Sequence, residues 1–420
     1  MPSQKSLGVA IDIGTTTVVL YLVDIDSGDR LAVQSEINAQ SKHGADVTSR
    51  IQFCAEHGHE ILTMLIREQI VEMIVKVCRS ADIFPAQIES ISIAGNTIMQ
   101  HLVAGYSPVS MGVAPFTPTS LFGEEFPVWD GLPVVENAKI YYTPAISAYV
   151  GGDVTAGLLA TGFDKITTPA LFIDIGTNGE IALKHEGTYY CCATAAGPAF
   201  EGAEIEMGMI AAPGAIDHVM QDRCDKSDDG INYTVIGEAA PKGICGSGLL
   251  DTLAVLLDMG AVDETGRLLN KEKFYLTKTE EILTPHTDSP LKVNLENNKG
   301  VYISAGDIRK LQLAKAAIAA GVQVLLHHAD ICAEEVKTLA LAGGFGSYLD
   351  LRSAARIGLF PKEMLPSAIT CGNASGEGAV LALRSKETRN QLEEIRGNCQ
   401  YIDLSAMAFF NDKFVDEMIF

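Results

Sequence analysis

The sequence predicts an α/β protein built from two related lobes, and three observations carry that expectation. The tetrapeptide Asp-Ile-Gly-Thr occurs twice, at Asp12–Thr15 and at Asp174–Thr177, each time closing a short apolar run. Each copy is followed by alternating, strand-like segments joined at turn residues, the pattern of a strand meander. At 420 residues the chain exceeds a single small core, since a domain takes roughly 150 residues.

Taken in order, Leu7–Ile13 reads as the first strand, and Val19, Tyr21 and Val23 mark the second. Asp26-Ser27-Gly28-Asp29 turns the chain into a third. Glu60–Ala81 has apolar residues at helical spacing. Ser107–Val135, rich in proline and glycine, predicts a long excursion. A strand at Lys139–Tyr142 precedes a helix predicted over Pro144–Gly162. The second meander runs from Ala170–Ile175 to His185, turns at Glu186-Gly187 and continues over Thr188–Ala193. The Asn178-Gly179 step suits a tight hairpin in which both residues take positive φ. Polar stretches at about Asp222–Asp229 and Thr277–Gly300 read as insertions or surface loops. Thr338–Ala342 is a further apolar strand, ending in Gly343-Gly344-Phe345-Gly346-Ser347 ahead of a helix near Leu351–Ile357. The expected division is 7–165 for the first lobe, 166–375 for the second, and 376–420 as a C-terminal helix and tail returning to the first.

An aspartate at a strand mouth, followed by glycine and threonines in a tight turn, gathers backbone N–H groups into an anion-binding concavity. Hydroxyls of threonine add donors. The aspartate would repel phosphate unless Mg²⁺ lay between them, an ion that takes one or two carboxylates together with waters and phosphate oxygens. Two such hairpins therefore point to a triphosphate and one metal. On this reading Gly14, Thr15, Thr16 and Thr17 form one cradle, Gly176, Thr177 and Asn178 the other, and Asp12 and Asp174 hold the metal. Gly343, Gly344, Phe345 and Ser347 would admit a flat ligand close to the backbone, although a strand-to-helix turn needs the same glycines. No G-x-x-x-x-G-K-[ST] sequence is present, and Gly243–Gly248 lacks dinucleotide-binding spacing.

Lys and Arg total 31 against 53 Asp and Glu, a net charge of −22 that disfavours nucleic acid. There is no signal-peptide core and no apolar run long enough for a bilayer, which points to a cytoplasmic protein without a membrane partner. The nine cysteines follow no disulfide framework or ferredoxin spacing, so no iron–sulfur cluster is expected in this chain. His327-His328 present different helix faces and make a poor metal site, and Trp129 reads as packing or partner surface. There is no D-x-H-x-x-G, so the chain should not carry cobalamin itself.

These motifs resemble the acetate and sugar kinase, heat-shock chaperone and actin superfamily, whose ribonuclease-H-like lobes enclose a nucleotide cleft. Asp12–Thr17 resembles its first phosphate motif, Asp174–Glu180 its second, and Gly343–Ser347 its adenosine motif. Gly151–Gly157 and Gly376–Ala379 resemble its two connecting helices, with small residues where they cross. The resemblance places Asp153 as the acidic residue that orients attacking water or hydrated metal, though aspartate equally suits a helix N-cap.

Within the superfamily, the chain resembles the C-terminal ATPase part of reductive activators of corrinoid proteins. Gly44-Ala45-Asp46-Val47, Ala94-Gly95-Asn96-Thr97, Gly243–Gly248, Asp307-Ile308-Arg309 with Gln312–Lys315, and Phe409-Phe410 carry it. The resemblance implies an ATP- and Mg²⁺-dependent ATPase that drives reduction of Co(II) to Co(I) in a corrinoid protein partner. Activators of that type begin with a plant-type 2Fe–2S domain, whereas this chain starts at the ATPase lobe. Either a separate ferredoxin-type protein donates the electron, or the chain is a fragment, or its function has diverged; a homodimer is also compatible. The alternatives within the superfamily are a small-molecule kinase and a nucleotide-gated binding module with little turnover. Activation of a 2-hydroxyacyl-CoA dehydratase would need a cluster-bridging cysteine, for which only Cys245 comes into question.

Overall fold

A computed structural model describes residues 6–221, 230–269, 271–277, 300–344 and 349–420. In chain order the strands and helices are β1 (Leu7–Ile13), β2 (Thr17–Asp24), β3 (Arg30–Ile37), α1 (Val47–His57), α2 (Glu60–Ser80), β4 (Ile88–Gly95), α3 (Thr97–Ala104), β5 (Glu125–Pro127), β6 (Lys139–Tyr142) and α4 (Gly152–Ala160). There follow β7 (Ala170–Ile175), β8 (Gly179–His185), β9 (Thr188–Thr194), β10 (Ala215–Gln221), β11 (Ile231–Val235), β12 (Gly243–Ile244), α5 (Gly246–Asp258), β13 (Lys273–Tyr275) and β14 (Tyr302–Ser304). The chain ends with α6 (Ala305–His328), β15 (Thr338–Ala342), α7 (Leu351–Arg356), β16 (Ala368–Gly372), α8 (Ala374–Arg384), α9 (Lys386–Gly397), β17 (Cys399–Tyr401) and α10 (Ala408–Asp416). Two compact units result, one of Met1–Asp174, Glu180–Ala193 and Asn373–Asp403, the other of Ile175–Gly179, Thr194–Gly372 and Leu404–Phe420.

The first unit is organised by a six-stranded sheet in the order β3-β2-β1-β4-β6-β5. Strands β1 to β3 form an antiparallel meander, β4 and β6 run parallel to β1, and β5 is antiparallel to β6. β1 is buried on both faces, which is why it reads as a continuous apolar run rather than an alternating one. On one face Val9, Ile11 and Ile13 pack with Ile66, Ile70 and Met73 of α2. On the other, Ala10, Tyr21 and Ala94 meet Ala156 of α4 and Ala379, Val380 and Leu383 of α8. Each fully buried Val, Leu, Ile or Met side chain here contributes about 1.5–3 kcal/mol. The second meander, β7-β8-β9, with β17 beside β9, belongs mainly to the same unit.

In the second unit β15 and β16 pair in parallel, β10 lies between β11 and β12, and β13 pairs antiparallel with β14. The long α6 is buried along most of its length, and α10 lies against it, with Phe409 stacked on His327 at 4.4 Å between centroids. The Lys315 ammonium of α6 is 1% exposed and donates to the Ile419 carbonyl at 2.6 Å.

Three sequence expectations are corrected. The helix expected from Pro144 begins at Gly152, because Ile146 and Ser147 donate their N–H groups to the Val150 carbonyl and Gly151 is extended. Ala145, Ala148 and Val150 are buried within a loop. Neither Asn178 nor Gly179 takes positive φ; Gly176 closes the turn by donating to the Asn178 carbonyl at 2.9 Å. Left-handed residues occur instead at the next turn, Glu186 (φ 49°) and Gly187 (φ 82°). The excursion 107–135 is not wholly irregular, since it delivers β5 to the sheet edge, where Glu125 pairs with Arg389 of α9. Residues 222–229 and 278–299, where insertions are expected, lie outside the described residues, as do Phe345 and Ser347.

His101 of α3 anchors that excursion. It is fully buried; Nδ1 faces the Thr97 carbonyl at 2.7 Å, and Nε2 accepts from the N–H groups of Thr119 (3.0 Å) and Ser120 (3.3 Å). Burial holds the imidazole neutral, its pKa pushed down to about 4. The unfolded chain, near 6.5, binds the proton more readily between those values, so stability falls as pH drops from about 6.5 to 4. The loss from this group is about 3 kcal/mol. An NMR titration of the His101 ring should show a midpoint near the lower value.

Candidate functional site

The geometry centres on the end of β1. Asp12 is partly covered there, and Ser375 at the start of α8 donates its hydroxyl to Oδ1 at 2.8 Å. Burial raises the Asp12 pKa, while hydrogen bonds from Ser375 and Asn373 pull it back. Asp153 belongs to the same unit, in the first turn of α4. Burial, with the Asp12 charge adding to it, pushes its pKa up to about 7. Its Oδ1 accepts from the Val154 N–H at 2.8 Å. Gly151 holds the N-cap position, so Asp153 is not the cap that its residue type also suggested.

The turn after Asp12 is tethered from several directions. Gly14 donates to the Thr17 carbonyl at 2.9 Å, which closes the hairpin. The Gly14 carbonyl accepts from Asn38 Nδ2 at 2.9 Å, and the Thr16 carbonyl from the Asn38 N–H at 2.8 Å. Thr15 is buried; its hydroxyl accepts from Asn96 Nδ2 at 3.1 Å, and its carbonyl from a terminal nitrogen of Arg50 at 2.5 Å. Thr17 opens β2.

Asp174 is half-buried at the end of β7. In the second unit, Gly176, Thr177 and Asn178 form the turn, and the Thr177 hydroxyl lies 3.3 Å from both carboxylate oxygens of Glu201. Gly343 takes φ of 113°, which only glycine adopts readily, and donates to the Gly372 carbonyl at 3.1 Å. Nothing lies within 4 Å of the position a Cβ would occupy on Gly344. Cys245 is a packed thiol directed at the Ile216 carbonyl, 3.4 Å away.

Asp12, Thr15 and Asp153 are thus brought together in the first unit, while Gly176 to Asn178, Gly343 and Gly344 belong to the second. Arg50, Asn38, Asn96, Ser375 and Glu201 were not anticipated as site residues, although Asn96 lies in a stretch that carries the family resemblance. For two of them a signal existed: Asn96 follows the strand-ending Gly95, and Ser375 precedes the Gly376–Ala379 helix motif. Among the described residues, no group of three or more His, Cys, Asp or Glu side chains could hold a metal ion alone, and no helix is long and apolar enough to cross a membrane.

Two Asp-Ile-Gly-Thr hairpins, each opening a meander, and a glycine turn after β15 define an ASKHA protein, of the acetate and sugar kinase, heat-shock chaperone and actin superfamily. Residues 168–420 match the family model described as the C-terminal ASKHA domain of RACo, and residues 7–166 match the RACo middle region. The chain belongs to this family of reductive activators of corrinoid proteins. It is 36% identical, over 98% of its length, to the corrinoid activation enzyme RamQ of Eubacterium limosum. It is 26% identical, over 84%, to the Co(II) methylated amine-specific corrinoid protein reductase of Methanosarcina barkeri. A solved reductive activator for a corrinoid, iron-sulfur protein superposes over the whole chain with a TM-score of 0.88 at 36% identity. The chain spans about two thirds of these relatives' own lengths, at 70%, 66% and 67% respectively.

Proposed function

We propose that this chain binds and hydrolyses Mg-ATP and uses it to reactivate a corrinoid protein, driving reduction of Co(II) to Co(I). The observation that supports this most is the 36% identity to a corrinoid activation enzyme across 98% of the chain. The Asp12–Asp153 geometry adds a chemical reason.

Two neighbouring carboxylates that burial pushes toward their neutral forms suit a cation that keeps most of its water. Asp12 and Asp174 would hold Mg²⁺, which when bound neutralises phosphate charge and orders the attacking water. The chain's own residues do the rest. In the turns that the Gly14 and Gly176 N–H groups close, the backbone N–H groups that follow take up phosphate oxygens, and Gly343 and Gly344 admit the nucleoside. Asp153, with a pKa near neutrality, orients the water and can accept its proton. One ATP and one water become ADP and phosphate, while a separate donor supplies the single electron that takes Co(II) to Co(I). Coupling requires that nucleotide bind two conformations of the activator with different affinity.

The test mixes the protein, Mg-ATP, a chemical reductant and a Co(II) corrinoid protein. The Co(I) spectrum should appear only with ATP, and Asp174→Ala should abolish it. Co(I) formation that is indifferent to ATP, or that survives in Asp174→Ala, sinks the proposal.

A further inference from the structure

We infer that Arg50 is a positioning residue for phosphate, acting through the Thr15 peptide to aim the first hairpin's N–H groups and to place a buried positive charge behind them. This rests on the nucleotide reading of Gly14–Thr17 given above.

Arg50 has no exposed surface and is among the largest fully buried side chains. Its guanidinium spends its donors on four neutral acceptors drawn from three segments of the chain. They are the Thr15 carbonyl (2.5 Å), the Gln40 side-chain carbonyl (3.1 Å), the Met99 sulfur (3.0 Å) and the Gly44 carbonyl (3.0 Å). Among the described residues no carboxylate pairs with it; Asp46 acts only from a distance, and burial lowers the guanidinium pKa to about 10. The group therefore stays charged at neutral pH without a counter-ion in contact, an arrangement that is costly unless the charge is used.

Its use follows from peptide geometry. In a trans peptide the C=O and the following N–H point in opposite directions. Arg50 draws the Thr15 carbonyl toward itself, and Asn38 Nδ2 does the same to the Gly14 carbonyl at 2.9 Å. The N–H groups of Thr15 and Thr16 are thereby turned to the opposite side of the loop. A donor on each carbonyl, a charged one at Thr15 and a neutral amide at Gly14, also polarises the N–H beyond it. Arg50 and Asn38 both reach the Met99 sulfur, so they work from the same side. An anion on the far side receives aimed donors and the field of a cation screened by little water.

The surrounding sequence is built to hold this arginine. Asp46 caps α1 by accepting from the Ser49 N–H at 2.7 Å, which fixes the turn from which Arg50 projects. A Cβ on Gly44 would stand 2.9 Å from Arg50 Cγ, so glycine leaves the room the side chain occupies.

The test titrates Mg-ATP, Mg-ADP and adenosine into the wild type and into Arg50→Met, Arg50→Gln and Arg50→Lys, each checked by circular dichroism for a cooperative melt. Arg50→Met should bind Mg-ATP roughly 100-fold more weakly while adenosine affinity changes less than about threefold. Arg50→Lys should recover part of the Mg-ATP affinity, and Arg50→Gln, a donor without charge, should recover less. Should Arg50→Met not fold, the Lys and Gln pair decides by that same order. Equal losses for adenosine and Mg-ATP, or a folded Arg50→Met that binds Mg-ATP within threefold of wild type, overturn the inference. Wild-type protein that takes up no Mg-ATP overturns the nucleotide reading itself.

Discussion

Asp153→Asn should lose nearly all ATP turnover, by roughly 1000-fold, while the nucleotide-free protein becomes more stable at pH 8. Both effects come from one cause. Burial and the neighbouring Asp12 charge hold the Asp153 pKa near 7, against 3.8 for an ordinary aspartate. The folded state therefore binds the proton more readily than the unfolded chain between those values. This contribution to stability is fully present below about pH 3.8 and is lost as pH rises through 7. Asparagine keeps the shape and never ionises, so it removes a penalty of about 2–3 kcal/mol at pH 8, allowing for the partial exposure of the carboxyl. Turnover falls because asparagine cannot accept a proton from water. The measurements are phosphate release and urea unfolding of both proteins at pH 5 and pH 8. A stability gain that does not grow from pH 5 to pH 8 contradicts the assignment, as does retention of turnover.

The sign of that effect is informative about the site. A structural carboxylate is normally held below its usual pKa by donors that stabilise its charge. Here Asp12 and Asp153 are both displaced upward, and Ser375 and Asn373 only partly compensate at Asp12. Such a pair costs the folded protein stability that the proposed Mg²⁺ would restore, the trade-off expected where function and stability conflict.

How much of this was legible depended on whether the signal was local. The bounds of β1, β6, β7 and β15 follow from the sequence because a strand buried on both faces is an unbroken apolar run, stopped by glycine or a turn residue. The loop 144–151 misled for the same reason in reverse. Ile146 and Val150 stand four residues apart, as on a helix, yet Pro144, Ser147 and the Gly151-Gly152 pair fold them into a loop. Arg50 was illegible because an arginine early in an amphipathic helix ordinarily reads as solvated. Its burial depends on Thr15 and Met99 arriving from distant parts of the chain to join the nearby Gln40 and Gly44. Glu201 lies in a short turn between Gly197 and Gly202, both with φ of 77°, where spacing rules have no purchase.

The crossing of α4 and α8 gives the second large expected effect. A Cβ on Gly378 would overlap the backbone of Ala156, including its carbonyl, so the two helices touch backbone to backbone. Ser375, which holds Asp12, lies one turn before Gly378, and Asp153 lies one turn before Ala156. Helix separation at this point thus sets how Ser375, Asp12 and Asp153 stand to one another. Gly378→Ala must push the helices apart or bend one of them, at a cost of about 1–3 kcal/mol. The melting temperature should fall by several degrees. Because a displacement of about 1 Å can cost on the order of 100-fold in rate, turnover should fall far more than stability alone explains. Gly397→Ala, where nothing lies within 4 Å of the new Cβ, is the matched control and should leave both quantities nearly unchanged. Differential scanning calorimetry and phosphate release under one set of conditions separate the two effects. A Gly378→Ala protein with wild-type turnover would show that the crossing does not govern the carboxylate geometry.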